Sequence, residues 1–289
     1  MSPTLSGLVA LFLFSLGTLL VALSGDMPPF QFSALTFFSC ALTLGMYFKM
    51  VGANFTEGLK APLSQYIVMF IGVALYQTLL NIAFKIAPAF EMNMLNYLWP
   101  ILLVLFSKYL NRQTLRLSEV LGMLLGFLGI IFIFMPQDNQ LFEQITLGHG
   151  LMILGAVLWA FYSAYGAGKN YSVMLLIPIT AVAGIICLII HLIFEQTVLG
   201  LPFISWFAVF IFAITRFSYA MWDYGMRKGD QLLLGSLSYC LPFLSSIYFI
   251  LFGIMPARIE VAIGGGLIMI GCLIVNIHRI KIKKNHASL

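Results

Sequence analysis

Asn96-Tyr97-Leu98-Trp99-Pro100 lies inside an apolar run and is echoed by Ser238-Tyr239-Cys240-Leu241-Pro242. The same offset, 142 residues, aligns Asn81 with Asp223, Ala83 with Gly225 and Lys85 with Arg227 without a gap. One half of the chain therefore reads as a copy of the other. A duplicated membrane unit points to transport, because many carriers place their binding site where two such halves meet.

Composition makes lipid the solvent for most of this surface. Of 289 residues, 61% are hydrophobic and 9% charged, against about 25% charged in soluble domains. Ten apolar stretches near the roughly 20 residues needed to cross a bilayer fall at 4–24, 30–50, 64–84, 91–110, 117–135, 148–168, 173–192, 203–224, 231–252 and 257–279. The first has no charged leader and reads as a span, not a cleaved signal. The expected architecture is all-α: an integral membrane protein of ten transmembrane helices, one membrane domain over 1–289, with five-helix halves at 4–135 and 148–279.

Basic residues orient these spans. Lys49, Lys60, Lys108, Arg112, Arg116, Lys169, Arg227, Lys228, Arg279, Lys281, Lys283 and Lys284 fall on one side, Lys85 and Arg258 on the other. The positive-inside rule then makes both termini cytoplasmic. Five spans per half is an odd number, so the halves have opposite topology and form inverted repeats, a basis for alternating access. The net charge of +5 belongs to topology and lipid headgroups, and it is scattered over short loops with no basic face for nucleic acid.

Other chemistries find little support. Cys40, Cys187, Cys240 and Cys272 fall within apolar runs and read as packing residues. His149 and His286 fall at expected loop positions, His191 and His278 near span ends, and no metal-ligand spacing joins them to a cysteine. No phosphate-binding glycine loop is present, so no cofactor or metal is expected. An intramembrane enzyme would need a placed pair of catalytic groups, and Asp223 has no second aspartate in the spans. A channel would need a continuous wet pore.

What remains is the polar and aromatic content of the spans. Helical spacing collects Asn93, Asn96, Tyr97 and Pro100 on one stripe, and Gly235, Ser238, Tyr239, Pro242, Ser245 and Ser246 on its counterpart. Gly155, Trp159, Tyr162, Ser163 and Gly166 form a third stripe, and Arg216, Tyr219, Asp223 and Arg227 a fourth. Polar groups in hydrocarbon need protein partners or water, and the prolines kink their helices and free carbonyls. A central cavity meets both needs. Glu91, Arg216 and Asp223 are candidates for coupling or ion pairing; Tyr219 stands where it can link Arg216 to Asp223, a substrate's ammonium and carboxylate could engage the two charges instead, and solvation of Asp223 beside Arg227 at a span end is the alternative to both.

The motifs Glu91-x-x-Met94-x-Asn96-Tyr97-Leu98-Trp99-Pro100, Gly155-Ala156-x-x-Trp159-Ala160-x-Tyr162, Phe217-x-Tyr219-Ala220-x-Trp222 and Ser238-Tyr239-x-x-Pro242-x-x-Ser245-Ser246 resemble the drug/metabolite transporter superfamily, EamA type. Within it they look like the bacterial aromatic amino acid exporters, with Gln77 standing where that subgroup has a carboxylate. The resemblance implies a basket of two inverted five-helix halves and efflux of aromatic and some other amino acids, threonine among them, across the bacterial inner membrane. A zwitterionic substrate needs polar contacts, which Asn96, Ser238 and Tyr239 can supply, and rings, which Tyr76, Tyr97, Trp99, Trp159, Tyr162, Tyr219 and Trp222 can supply. Pro100 and Pro242 are the expected gating breaks. A drug or other metabolite exporter of the same fold is the alternative.

Overall fold

The computed structural model describes residues 1–135 and 145–286. Among these no strand occurs, and the apolar stretches become helices: α1 (Pro3–Leu23), α2 (Pro29–Met50), α3 (Leu63–Ile86), α4 (Ala89–Asn96), α5 (Trp99–Leu110), α6 (Leu117–Phe134), α7 (Leu147–Tyr165), α8 (Leu176–Phe194), α9 (Phe203–Thr215), α10 (Ser218–Lys228), α11 (Gln231–Leu237), α12 (Cys240–Leu251) and α13 (Ile259–His286). Side chains supply several of the missing end bonds. The Leu5 N–H donates to Ser2 Oγ at the start of α1, and the Leu233 N–H to Asp230 Oδ1 at the start of α11. At the start of α6 the Glu119 carboxylate reaches back to the Arg116 N–H at 3.0 Å.

Nine stretches among the described residues are long and apolar enough to cross a membrane. Phe12, Leu42, Leu192, Phe210 and Leu273 are each more than half exposed, an outward apolar surface that only lipid would satisfy. The protein is an all-α, multi-pass membrane protein. The stretch 91–110, expected as one span kinked at Pro100, is instead divided into α4 and α5 by a turn at Tyr97–Leu98. Its partner is divided at Ser238–Tyr239. Each proline withholds the N–H that would have bonded four residues back; in the second half the Leu241 N–H takes the Ser238 carbonyl instead, at 3.1 Å.

Two further irregularities have no proline. α3 widens into a π turn over Ile71–Leu75, and the chain breaks between α9 and α10 at Arg216–Phe217. An offset of 142 carries 71–75 onto 213–217, so both halves are irregular at matched positions. The stretch 203–224, expected as one regular span, is thus two helices.

Helix packing follows the same exchange. α2 lies against α8 and α6 against α13, each helix on its own counterpart, while α1 packs on α10 as α7 packs on α3. The α6–α13 crossing is made of glycine: a Cβ on Gly129 would lie 2.5 Å from the Gly264 carbonyl oxygen, and one on Gly122 2.6 Å from that of Gly271. Exchanging the halves turns one of these contacts into the other. Backbones this close gain dispersion and Cα–H···O contacts that larger residues would forbid.

Candidate functional site

Trp159 is the hub of a midspan ring cluster drawn from both halves. Its indole lies 5.2 Å from Tyr76, 5.5 Å from Tyr162, 5.7 Å from Tyr219, 6.1 Å from Phe14, 6.3 Å from Trp99 and 6.4 Å from Trp222, centroid to centroid. Trp99 meets Trp159 and Trp222 edge-on at 89° in both cases, while Trp159 and Trp222 are nearly parallel at 14°. Such edge and offset contacts are the preferred ones for rings, at about 0.5–1.5 kcal/mol per pair beyond area burial. Periodicity explains the convergence: Trp159 and Tyr162 share a face of α7, and Tyr219 and Trp222 share one of α10.

Small residues make room for the rings. A Cβ on Gly72, in the π turn of α3, would fall 2.1 Å from the Tyr162 Cβ, and one on Gly155 would touch Tyr76 at 3.4 Å. A π turn shifts helical phase and often marks a functional position; here it lets α7 approach α3 closely enough for Tyr76 and Tyr162 to reach the same indole.

Polar groups rim the cluster. The Tyr76 hydroxyl donates to Asn96 Oδ1 at 3.1 Å, and the Trp222 indole N–H to Ser163 Oγ at 3.0 Å. Asp223 is held by Arg227 Nε at 2.8 Å and by the hydroxyls of Tyr171 at 3.0 Å and Tyr162 at 3.4 Å. Arg216 instead donates to the Tyr219 hydroxyl at 3.1 Å. Tyr219 does not link the two charges: Asp223 forms its ion pair with Arg227, one helical turn on, and Arg216 forms none among the described residues.

Three candidates lie away from the rings. Tyr97 stacks on Phe134 at 6.0 Å, and Tyr239 is buried against Gly126 on the far side, its hydroxyl without a hydrogen-bond partner among the described residues. The Ser238 hydroxyl donates to its own helix at Leu234 O, 2.7 Å away. Pro100 and Pro242 are buried just beyond their breaks, in α5 and α12. Phe14 and Phe37 are additions that spacing alone did not single out. Phe14 stands on an α1 face otherwise small, with Gly7, Ala10 and Gly17, and that solitary ring was the available signal.

Glu91 is not in the cluster. It is buried and accepts a 2.6 Å hydrogen bond from His149 Nε2; the Thr146 N–H donates to His149 Nδ1 at 3.0 Å, which assigns the proton to Nε2. His149, expected in a loop, is therefore in the first turn of α7. At the same end Glu195 accepts from the Phe30 and Gln31 N–H groups at the start of α2 and is paired with Lys85 and His191. Burial pushes the Glu195 carboxyl up, but Lys85, His191 and the Phe30 N–H outweigh it and hold it below its ordinary value of 4.5. His278 and His286 have side chains outside the described residues, as do the C-terminal cations used for orientation.

Known proteins match this chain in sequence and in shape. The profile of the EamA-like transporter family matches residues 1–135. The aromatic amino acid exporter YddG of Ancylobacter novellus is 30% identical over 96% of this chain and 97% of its own. The exporter of the same name from Salmonella typhimurium is 28% identical over 64% of this chain and 66% of its own. A solved crystal structure at 26% identity superimposes with a TM-score of 0.86 over 97% of this chain and 98% of that one. Full-length similarity, the family profile and the shared helical fold together make this chain a member of the EamA-like transporters of the drug/metabolite transporter superfamily.

Proposed function

We propose that the protein exports amino acids across the bacterial inner membrane by alternating access, preferring aromatic ones and accepting threonine. The carrying observation is the convergence of rings from both halves on Trp159, at midspan. Phe14, Tyr76 and Trp99 come from the first half, and Trp159, Tyr162, Tyr219 and Trp222 from the second, with Phe37 of the first half stacked behind Tyr219 at 6.4 Å. Moving one half against the other would therefore remake the walls of the site. Indole and phenyl side chains gain contact energy from such walls, and the ammonium gains from the ring faces.

The matched packing of the helices supports two inverted five-helix halves, 4–135 and 148–279, and the excess of basic residues at one end supports both termini in the cytoplasm. Ion pairs support a cycle of two states. Lys85–Glu195 and Glu91–His149 each join the first half to the second at the end read as outer. Lys108–Glu119 and Arg227–Asp223, toward the basic end, each stay within one half. There a cleft of about 350 Å³ is lined by Ser107, Lys108 and Asn111 from one half and Arg227, Asp230 and Gln231 from the other. The outer end is thus latched by ion pairs between the halves, whereas at the inner end neutral hydrogen bonds join them, from the Asp230 N–H to Thr4 Oγ1 at 3.1 Å and from Asn111 Nδ2 to Gln231 Oε1 at 3.5 Å.

The latch carries a pH prediction. Because the folded Glu195 value is lowered, its stabilisation is fully present above pH 4.5 and is lost as pH falls through the folded value. The unfolding temperature of Glu195→Gln should lie below that of wild type at neutral pH, and the two should converge only as pH falls well below 4.5, through the lowered folded value. Parallel curves over that range would remove Glu195 from the latch.

The substrate reading is tested by counterflow of labelled tryptophan, phenylalanine and threonine in proteoliposomes, beside a positive-control exporter. Wild type should exchange all three. Trp99→Leu, which removes the two edge contacts to Trp159 and Trp222, should cut tryptophan exchange roughly 5- to 10-fold more than threonine exchange. Equal losses would point to folding, and no exchange by wild type would end the amino-acid reading in favour of another metabolite.

A further inference from the structure

Two deeply buried arginines are treated in opposite ways. Arg227, 5% exposed, is matched by Asp223 at 2.8 Å and by the Tyr171 carbonyl at 2.6 Å. Arg216, 3% exposed, has no carboxylate partner among the described residues, and its Nε has no acceptor. What surrounds it is aromatic: its guanidinium carbon is 4.1 Å from the Phe37 ring centroid, 5.0 Å from Phe212 and 5.3 Å from Tyr219. Ring faces stabilise a cation without neutralising it, so the charge is held in place and left available. A buried cation with no counter-charge and with its Nε–H lacking an acceptor is costly, and an anion would satisfy both lacks.

Arg216 closes α9, and Ser218 opens α10. The position also adjoins the ring cluster, since Tyr219 touches both Arg216 and Trp159, and the Tyr76 hydroxyl lies within electrostatic range of Arg216.

We infer that Arg216, with its Phe37–Phe212–Tyr219 cage, is an anion subsite that takes the carboxylate of the transported molecule while the tryptophan cluster takes its side chain. This rests on the amino-acid reading of the same site and adds a requirement to it: the substrate must carry a carboxylate. Aromatic amines and amides fit the rings and fail at Arg216.

The test uses pairs that differ only in that group, phenylalanine with phenylalaninamide and 3-phenylpropionate with 3-phenylpropionamide. Purified protein in detergent is titrated with each, following thermal unfolding. In wild type each acid should act at concentrations at least about tenfold below its amide. Arg216→Gln should bring the ratio toward one, and Arg216→Lys should keep part of it. Acids and amides acting alike in wild type, an absence of any acid-selective shift, or a preference that survives Arg216→Gln would overturn the subsite. The wild-type ratio is informative even if Arg216→Gln does not fold, and Tyr219→Phe, which removes the hydroxyl and keeps the ring, should lower it in part. Counterflow separates the two ideas: amino-acid exchange without acid preference refutes the subsite alone, and acid preference without amino-acid exchange refutes the amino-acid reading alone.

Discussion

Trp159→Ala is expected to reduce phenylalanine and tryptophan counterflow by about 10- to 100-fold, the loss that two or three ring contacts of about 0.5–1.5 kcal/mol each would produce. Trp159 touches six rings and is 4% exposed, so truncation also removes packing, at about 3–5 kcal/mol for a buried tryptophan. The unfolding temperature should therefore fall as well, and transport must be judged against it. Trp159→Phe separates the two losses. It restores a ring where Tyr76, Trp99 and Trp222 converge and should recover aromatic exchange to within about tenfold of wild type. Threonine, which gains little from rings, should be the less affected substrate in both variants. If folded Trp159→Ala exchanged phenylalanine at the wild-type rate, the cluster would be a packing core and the binding site would lie elsewhere.

The positions of the helices were legible because a bilayer imposes length and polarity on every crossing. Their interruptions were only half legible. Pro100 and Pro242 announce two of them, but the π turn at Ile71–Leu75 and the break at Arg216–Phe217 contain no proline, and only the offset of 142 ties them together. The same interruptions limit the stripes. Trp159 with Tyr162 and Tyr219 with Trp222 lie within unbroken helices, where 100° per residue holds, and both pairs meet at the site. Tyr97 sits on the break itself, with ψ at 11°, and Tyr239 with ψ at −20°; the phase changes there, and both tyrosines turn toward α6 instead of the tryptophans. Pairings such as Glu91 with His149, 58 residues apart, have no local spacing to betray them. They depend on how the halves dock.

Asp223→Asn is expected to be among the most damaging single changes at the basic end of the bundle. The carboxylate receives Arg227 Nε at 2.8 Å and two tyrosine hydroxyls, and the Arg227 guanidinium lies 4.3 Å from the Tyr171 ring. An amide can still accept from the tyrosines, but it leaves Arg227 buried without its counter-charge, a loss of about 3–5 kcal/mol when one partner of a buried pair is removed. The lesion would spread along the chain, because Arg227 also bonds the Tyr171 carbonyl and its own carbonyl receives the Gly168 N–H, tying α10 to the segment between α7 and α8. Asp223→Asn with Arg227→Gln removes both charges and should regain most of the unfolding temperature, since a matched neutral pair is often no worse than a buried ionic one. Transport by that double variant then decides what the carboxylate does. The geometry favours an anchor: every oxygen of Asp223 is engaged, and protonating it would abandon Arg227. Exchange should accordingly survive in the double variant with an unchanged response to an imposed pH gradient. A folded double variant that exchanges substrate but no longer responds to the gradient would make Asp223 the proton carrier instead.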